Sequence, residues 1–386
     1  MDRIYLDHAA TTPVFPEAID LMADFMRNHF GNPSSAHSFG VEAREYLDTA
    51  RANVGALIGA PAEAITFTSG GTEADNLVVF GAAEMAKKQG KRHIITSAVE
   101  HHAILESCEE LERQGFELTV LPVDEYCMVQ PAVLQQALRP DTFLVTIMHA
   151  NNEVGTVNPI RELCALAHAA GALFHTDSVQ SVGKIPADVN ELDVDFMTYS
   201  SHKINGPKGV GALYMRPGCE LYRRAWGGGQ ERKLRSGTEN MPGIVGFGEA
   251  ARLTALDWRT QAEEWKRLSR IFIDEATSRI PHCHLHGHPV HRLPHNVNLG
   301  FDGIESEALL NALDYQGIAC SAGSACSTGT EGQSHVLKAM GLPAEHYASL
   351  RFTMGRGIDE AQIRHTVDVI ETRLALLRSM SPFYLP

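Results

Sequence analysis

The sequence predicts an α/β protein with a mainly parallel seven-stranded sheet between layers of helices, joined to a smaller α+β domain. Between residues 64 and 215, short runs rich in β-branched residues alternate with longer helical patterns, which is typical of a parallel sheet covered on both faces. The 386 residues also exceed the length at which one hydrophobic core keeps growing, so two domains are expected. Glycine, hydroxyl and amide residues follow several predicted strands, at the edge where such sheets hold their ligands.

Two helices are predicted ahead of the sheet. Apolar residues recur at helical spacing over residues 16–30, and the turn-forming residues 31–33 end this pattern. A second helical stretch covers residues 40–58. The first 14 residues are too few for a domain, so we expect them to lie across another part of the fold.

The predicted large domain takes residues 15–257 and contains the whole sheet. Its strands are predicted at residues 64–68, 93–97, 117–121, 142–148, 173–176, 195–199 and 211–215. Helices are predicted between them at residues 73–88, 103–114, 131–138 and 162–170. A longer helical pattern over residues 246–279 leads out of this domain.

The predicted small domain combines residues 1–14 with residues 258–386. Its pattern indicates a strand, a helix, a loop, a second strand and a closing amphipathic helix over residues 359–379. Residues 321–335 are rich in glycine, serine and threonine, so we expect a mobile loop there.

Composition argues against several classes of protein. A net charge of −14 does not suit a protein that grips nucleic-acid phosphates, so no direct nucleic-acid binding is expected. We find neither a signal-peptide pattern nor an apolar run of membrane-spanning length. The seven cysteines lack paired spacing, which favours free thiols in a reducing compartment. We therefore expect a cytoplasmic location.

Lys203 follows the predicted strand 195–199 and is the centre of the predicted site. A turn at residues 206–209 and the strand 211–215 come next, so the amine is held and does not extend into solvent. A lysine near apolar walls and another positive centre has a lowered pKa and is able to form a Schiff base with an aldehyde cofactor. The alternative is a surface lysine, the commonest environment for this residue.

Polar residues at the ends of other strands support the first interpretation. Residues 69–73 place glycines ahead of a helix, and the N–H groups of such a turn form a cup for a phosphate. His101 begins the next helix, where an imidazole would stack on a ring. Asp177 would face the protonated nitrogen of a pyridine, which is how proteins tune pyridoxal phosphate. Each feature alone also fits a turn or a cap, because Asp177 and Asn152 are common capping types.

These residues belong to motifs that run through essentially the whole chain. The motifs are Leu6-Asp7 with Ala10-Thr11-Thr12, Phe30-Gly31-Asn32-Pro33-Ser34-Ser35, Thr68-Ser69-Gly70 with Thr72-Glu73, Glu100-His101, His149 with Asn151-Asn152-Glu153, Ser201-His202-Lys203, Gly206-Pro207-Lys208-Gly209, Arg235-Ser236-Gly237-Thr238, Gly323-Ser324-Ala325-Cys326 and Arg351-Phe352. In this order they resemble the class V aminotransferase branch of the fold-type I pyridoxal-phosphate enzymes. The likeness is closest to the cysteine desulfurases that serve iron–sulfur cluster assembly.

The resemblance implies how pyridoxal 5'-phosphate is bound. Lys203 would carry the Schiff base, Asp177 would pair with the pyridine nitrogen, and Gln180 would bond the ring hydroxyl. His101 would stack on the ring and move protons. The phosphate would be held by Gly71, Thr72, Ser200 and His202. Thr238 would reach the phosphate from the other subunit of a homodimer.

The resemblance also implies the reaction. Asn152, which would bind cofactor as well, and Arg351 would orient L-cysteine, the arginine by a two-pronged grip on the carboxylate. Lys203 would remove the α-proton, and the thiolate of Cys326 would attack the substrate sulfur. The products would be L-alanine and a persulfide on Cys326. The loop at residues 321–335 would carry this sulfur to an acceptor protein such as an iron–sulfur scaffold.

Two features fit the family pattern less well. Cys320 lies in the same glycine- and serine-rich region as Cys326 and could compete as the sulfur carrier or form a regulatory disulfide, but the resemblance favours Cys326 as the carrier. The alternating histidines His282, His284, His286 and His288 would share one face of a strand. Such a face is chemically able to bind a metal, but we expect a solvated strand face and no metal.

Two other functions stay open from the sequence. A class V transaminase or a selenocysteine lyase would use the same cofactor, although a transaminase would not need Cys326. The alternative from another class is a non-catalytic sulfur-relay scaffold. The presence of Lys203, His101, Asp177 and Cys326 argues against such a scaffold. The sequence does not identify the acceptor of the sulfur.

Overall fold

The computed structural model of the protein describes residues 3–323, 333–343 and 345–384. Its strands are β1 Ile4–Tyr5, β2 Ile65–Thr68, β3 His93–Ser97, β4 Glu117–Leu121, β5 Thr142–Thr146, β6 Leu173–Asp177, β7 Phe196–Ser200, β8 Gly211–Met215, β9 Cys283–His286, β10 Asn296–Asp302, β11 Ile318–Ala319 and β12 Tyr347–Thr353. Its α-helices are α1 Pro16–Asn28, α2 Ser38–Ala56, α3 Gly71–Lys88, α4 His102–Arg113, α5 Pro131–Ala137, α6 Ile160–Ala169, α7 Val189–Leu192, α8 Met241–Arg279, α9 Ser306–Asp314, α10 His335–Ala339 and α11 Glu360–Met380. Among the described residues, none of these helices is both long and apolar enough to cross a membrane.

The largest sheet has seven strands in the order β2-β8-β7-β6-β5-β3-β4. The four pairs from β7 to β4 are parallel, and β8 is antiparallel to both β7 and β2. The predicted mainly parallel sheet is therefore confirmed. Because β2 and β7 both run opposite to β8, the carboxyl ends of β2 to β7 meet at one edge, where such sheets bind their ligands.

Both faces of this sheet are buried. Successive strand residues point to opposite faces, so Ile94 and Phe196 pack in a core with α3 and α4. Ile95 and Met197 pack in a larger core with α2, α6 and α8. Burial on both sides explains why the strands read as nearly continuous apolar, β-branched or aromatic runs.

Helix α8 connects this part of the fold to a second core. Its first half packs against the large sheet through residues such as Phe247, and its second half packs through Phe272 into a separate hydrophobic core. The predicted domain boundary at residue 257 falls between these two halves. The division into residues 15–257 and the remaining segments stays a prediction.

The second core is built on a three-stranded antiparallel sheet in the order β12-β10-β9. Helices α9 and α11 and the end of α8 cover it. Helix α11 begins with a capping box between Asp359 and Gln362, which satisfies N–H groups at its first turn. The sequence pattern gave fewer strands here, because β9 and β10 follow one another closely and β11 has only two residues.

The N-terminal segment crosses from this second sheet to the edge of the large one, as expected. Strand β1 pairs in parallel with β11, and Asp7 forms a bridge with Thr353 of β12. The Asp7 carboxylate also accepts a hydrogen bond from Arg351 at 2.8 Å. The next residues, Ala9 and Ala10, reach the carboxyl ends of the large sheet.

The alternating histidines do not form one solvated face. Strand β9 contains only His284 and His286, and His282 precedes it in the left-handed region with φ of 52°. His286 is 3% exposed, and its ring nitrogens lie 2.7 Å from Asn298 Oδ1 and 2.6 Å from the Tyr347 hydroxyl. The prediction of a solvated face is therefore wrong for His286. In the part of the chain that the structure describes, no cluster of histidine, cysteine, aspartate or glutamate is arranged to hold a metal ion.

Candidate active site

A cavity lies at the edge where the carboxyl ends of the parallel strands meet. It is lined by Ala9, Ala10, Gly71, Thr72, Asp75, His101, Met148, Ala150, Asn152, Asp177, Val179, Gln180, Ser200, His202, Lys203 and Arg351. Ten of these residues were predicted for the site from the sequence. The structure brings those ten together, and their individual roles stay predictions.

Two predicted site residues are not among them. Thr238 is exposed and lies beside a different groove, together with Phe30 and Met241. Cys326 lies outside the described residues. Of the predicted loop at residues 321–335, the structure describes only residues 321–323 and 333–335.

Lys203 ends a short helical turn that directly follows β7. Its amine donates hydrogen bonds to the backbone carbonyls of Ala9 at 2.5 Å and Ala10 at 2.8 Å. The N-terminal segment thus fixes the amine at the wall of the cavity. A second lysine, Lys184, is 4% exposed, and burial together with the charge of Lys203 lowers its pKa to about 7. Lys184 is a second buried basic group close enough to Lys203 to be affected by its charge.

Asp177 is the last residue of β6 and carries a buried carboxylate at the cavity. One oxygen accepts the N–H of Val179 at 2.8 Å. Burial raises the pKa of Asp177 to about 6, while that hydrogen bond and the charge of Lys203 lower it. A carboxylate in this position gains stability from a cationic ligand group, because burial without a partner is costly.

Asp75 is a cavity residue that the sequence reasoning missed. It is 1% exposed, and both burial and the nearby Asp177 raise its pKa. Its carboxylate lies 3.7 Å from the ring of His175, which burial keeps neutral by lowering its pKa to about 3. The available signal was helical spacing, since Asp75 comes four residues after Gly71 and therefore lies on the same face of α3.

His101 and Glu100 lie just before α4. The Nδ1 atom of His101 accepts the N–H of Ala103 at 3.1 Å, so the neutral ring carries its proton on Nε2. Burial lowers the pKa of His101 to about 4. Glu100 is fully buried and accepts hydrogen bonds from Ser97 at 2.5 Å and from the N–H of Met148 at 2.9 Å. Burial raises the pKa of Glu100 to about 8.

The start of α3 provides an anion-binding end to the cavity. Gly70 precedes the helix without a side-chain cap, so the N–H groups of the first turn are available to a ligand. A Cβ atom on Gly71 would come within 3.0 Å of Val179, so the backbone approaches closely here. Ser200 and His202 line the cavity nearby, and burial lowers the pKa of His202 to about 4.

Arg351 presents a guanidinium at the opposite wall. It is 1% exposed and donates to the Asn152 carbonyl at 2.9 Å and to Asp7 at 2.8 Å. Its Nε atom has no hydrogen-bond partner among the described residues, so donor capacity remains for a ligand carboxylate. Gln180 is held by a hydrogen bond from its amide to the Ala9 carbonyl at 3.0 Å.

Comparison with known proteins gives a consistent result. Residues 4–365 match the family model described as aminotransferase class-V. The chain is 47% identical over 382 residues to the cysteine desulfurase IscS of Dictyoglomus turgidum, covering 99% of this chain and 97% of that protein. It is 45% identical over 380 residues to the cysteine desulfurase IscS of Methanosarcina thermophila, covering 98% and 94%. A solved NifS-like protein superposes with a TM-score of 0.90 at 35% identity, covering 97% of this chain and 100% of the other.

The fold and the site define an α/β enzyme, and the chain belongs to the aminotransferase class-V family. Within this family its relatives are cysteine desulfurases of the IscS type. The resemblance inferred from the motifs is therefore confirmed, and so is the predicted fold of a NifS-like enzyme.

Proposed function

We propose that this protein is a pyridoxal 5'-phosphate-dependent cysteine desulfurase that converts L-cysteine to L-alanine and holds the sulfur as a persulfide on Cys326. The observation that carries the proposal is the convergence of three groups on one cavity. These are the Lys203 amine, the buried Asp177 carboxylate and the N-terminal end of α3. Relatives that match this chain over nearly their whole length are named cysteine desulfurases, and this supports the same reaction.

The residues at the cavity fit pyridoxal phosphate. Asp177 supplies the anion that a pyridinium nitrogen requires, and α3 with Ser200 and His202 supplies donors for a phosphate. Lys203 is the amine able to bond the aldehyde. When bound, the cofactor supplies an electron-accepting ring that makes the substrate α-proton acidic.

The substrate carboxylate binds at Arg351 in this proposal. Asp7 and the Asn152 carbonyl hold two sides of the guanidinium, which leaves its Nε edge for the substrate. Lys203 takes the proton from the substrate α-carbon. His101, neutral with its proton on Nε2, is able to exchange a proton at that atom during the reaction.

Sulfur transfer uses the thiolate of Cys326. A bond forms between the Cys326 sulfur and the substrate sulfur while the carbon–sulfur bond of the substrate breaks. The electron pair of that bond stays on the substrate carbon, which takes up a proton on the way to L-alanine. Cys320 is the weaker candidate, because burial and Asp7 raise the pKa of its thiol and keep it protonated.

The proposal extends to a cytoplasmic homodimer that passes sulfur to an acceptor protein such as an iron–sulfur scaffold. Phe30, Met26 and Phe39 are large apolar residues that are 70%, 56% and 52% exposed. Phe30 and Met26 border the groove that also contains Thr238. An exposed apolar patch of this kind supports a subunit interface, at which Thr238 would enter the phosphate site of the other subunit.

The test is incubation of the purified protein with pyridoxal phosphate and L-cysteine, followed by alanine assay and intact mass measurement. We expect one added sulfur that maps to Cys326. Cys326→Ser should lose the added sulfur and keep the absorbance of bound cofactor, whereas the matched control Cys320→Ser should keep both. Added sulfur on Cys320 would assign the role of sulfur carrier to that residue. An amine form of the cofactor without a persulfide would indicate a transaminase. Faster turnover with selenocysteine than with cysteine would indicate a selenocysteine lyase.

A further inference from the structure

A turn of unusual backbone conformation precedes the segment that carries Thr238. Glu231, Arg232 and Lys233 have φ values of 43°, 55° and 68°, so three successive residues with side chains adopt the left-handed conformation. Left-handed backbone dihedral angles are unfavourable for residues other than glycine, so a run of three such residues requires support from the surrounding structure. Strain of this kind is concentrated at functional sites.

A buried ion pair supplies the support. Glu231 is 6% exposed, and its two carboxylate oxygens accept hydrogen bonds from the two Nη atoms of Arg51, each at 2.7 Å. The same carboxylate accepts the N–H of Phe67 at 2.9 Å. Arg51, from α2, also donates to the Ile65 carbonyl at 2.9 Å. The first left-handed residue is thus fastened to helix α2 by a two-pronged ion pair and to strand β2 by the N–H of Phe67.

The residues after this turn are tied to the phosphate end of the cavity. Arg235 lies 2.9 Å from one oxygen of Glu73, and the other oxygen of Glu73 accepts the N–H of Ser69 at 2.6 Å. Ser69 is the residue that directly follows β2, and Gly71 begins α3 two residues later. Strand β2 therefore anchors both the anion-binding turn of its own chain and the segment that presents Thr238.

We propose that the Arg51–Glu231 ion pair is a positioning device, which holds the left-handed turn at residues 231–233 and thereby sets the position of Thr238 at the cofactor phosphate of the partner subunit. The inference rests on the proposed function, because it takes pyridoxal phosphate as the ligand and a homodimer as the assembly. Without the ion pair, the turn relaxes toward right-handed conformations and Thr238 moves with it.

The first test removes the charge of Glu231 with little change of shape. The dissociation constants of pyridoxal phosphate and of pyridoxal, which has no phosphate, are measured with the dimeric protein. For Glu231→Gln we expect pyridoxal phosphate to bind about tenfold more weakly, which corresponds to the loss of one charge-assisted hydrogen bond to the phosphate. The binding of pyridoxal should not change. Glu249→Gln is the matched control, because Glu249 pairs with Arg252 on the surface of α8, and no change is expected there.

A second variant separates positioning from general damage. Glycine adopts a φ of 68° without steric cost, so Lys233→Gly stabilises the left-handed turn directly. The double variant Glu231→Gln with Lys233→Gly should recover most of the affinity for pyridoxal phosphate. Equal weakening for both compounds, or failure of the rescue, would overturn the inference. If Glu231→Gln does not fold, the same binding measurements are made with Arg51→Lys, which removes the two-pronged geometry of the ion pair and keeps the positive charge.

Thr238→Ala distinguishes this inference from the proposed function. We expect it to weaken pyridoxal phosphate about tenfold and to leave pyridoxal unchanged. Combined with Glu231→Gln, it should add little, because both changes act on the same contact. No effect of Thr238→Ala would refute the phosphate role assigned to it. A phosphate-specific loss in Thr238→Ala with none in Glu231→Gln would refute only the positioning role of the ion pair.

Discussion

Buried ionisable side chains are paired in different ways in two regions of the protein. Asp75 and Asp177, which line the cavity, and Glu100 and Lys184, which do not line it, are all buried. Among the described residues none of the four forms an ion pair with an oppositely charged lysine, arginine, aspartate or glutamate. Around β2, the buried Arg51–Glu231 pair has two-pronged geometry and further backbone partners for both side chains.

The two regions therefore have different roles, the first in chemistry and the second in structure. Burial moves the pKa of Asp177, which lines the cavity, to about 6, and the pKa values of the buried Glu100 and Lys184 to about 8 and about 7. Perturbed values of this kind are concentrated at functional sites. The fully bonded ion pair near β2 stabilises a loop conformation instead.

The largest effect on activity should come from Lys203→Ala. Removal of the amine eliminates the bond to the cofactor aldehyde and the base for the α-proton, so alanine formation should fall by at least ~10³-fold. The absorbance of bound cofactor at long wavelength should disappear. The free energy of unfolding should fall by no more than about 3 kcal/mol, because the amine also donates hydrogen bonds to the Ala9 and Ala10 carbonyls. Lys87→Ala, an exposed residue of α3, is the control, and normal absorbance in Lys203→Ala would contradict the assignment.

Arg51→Met should give the largest loss of stability. It leaves the Glu231 carboxylate buried without its cation, and removal of one partner of a buried ion pair costs about 3–5 kcal/mol. The measurement is denaturant unfolding of the variant beside the wild type. Arg252→Met removes an exposed partner and should cost less than about 1 kcal/mol. Equal losses in the two variants would remove the distinction between the two regions.

Glu100→Gln should change how stability depends on pH. Folding raises the pKa of Glu100 from 4.5 to about 8, so the folded protein keeps a proton that the unfolded chain has lost. The contribution to stability is fully present below about pH 4.5 and disappears as the pH rises through about 8. Between about pH 6 and pH 9 the wild type should therefore lose about 3 kcal/mol relative to Glu100→Gln, which cannot ionise. Parallel pH curves in urea unfolding would show that Glu100 is already ionised in the folded protein.

The smallest effect should come from Asp75→Asn. Burial and Asp177 raise the pKa of Asp75, which favours the neutral carboxyl, and a neutral carboxyl resembles an amide in shape and charge. Turnover should change by no more than about twofold. Asp177→Asn is the matched comparison, since it removes the anion for the pyridine nitrogen and should cost about 100-fold or more. A large effect of Asp75→Asn would mean that Asp75 acts as a charged group.

Local patterns in the sequence were sufficient for most of the large sheet. The strand beginning at His93 and the strand beginning at Gly211 match the prediction, because β-branched runs bounded by turns are a local signal. The ten site residues could be grouped because parallel strands bring their carboxyl ends to one edge. The start of α8 was placed too late, although Asn240 and Pro242 form a cap signal that was available.

Features that depend on distant partners could not be predicted. His286 is buried because Asn298 and Tyr347 of neighbouring strands satisfy its ring, and no local pattern specifies that pairing. Helical spacing from Gly71 was enough to place Asp75 on the cavity face of α3, but its raised pKa depends on Asp177, which is distant in sequence and could not be identified as a neighbour. The Arg51–Glu231 pair joins residues 180 positions apart, so its geometry emerges only in the folded chain.

The N-terminal crossing has a consequence for biosynthesis. Asp7 and its partner Arg351 are separated by 344 positions, and the carbonyl groups that hold Lys203 belong to residues 9 and 10. Residues 7–10 therefore take up their positions only after the chain has been synthesised beyond Arg351. The candidate active site is completed at that stage, and a product that ends before residue 351 would lack part of it.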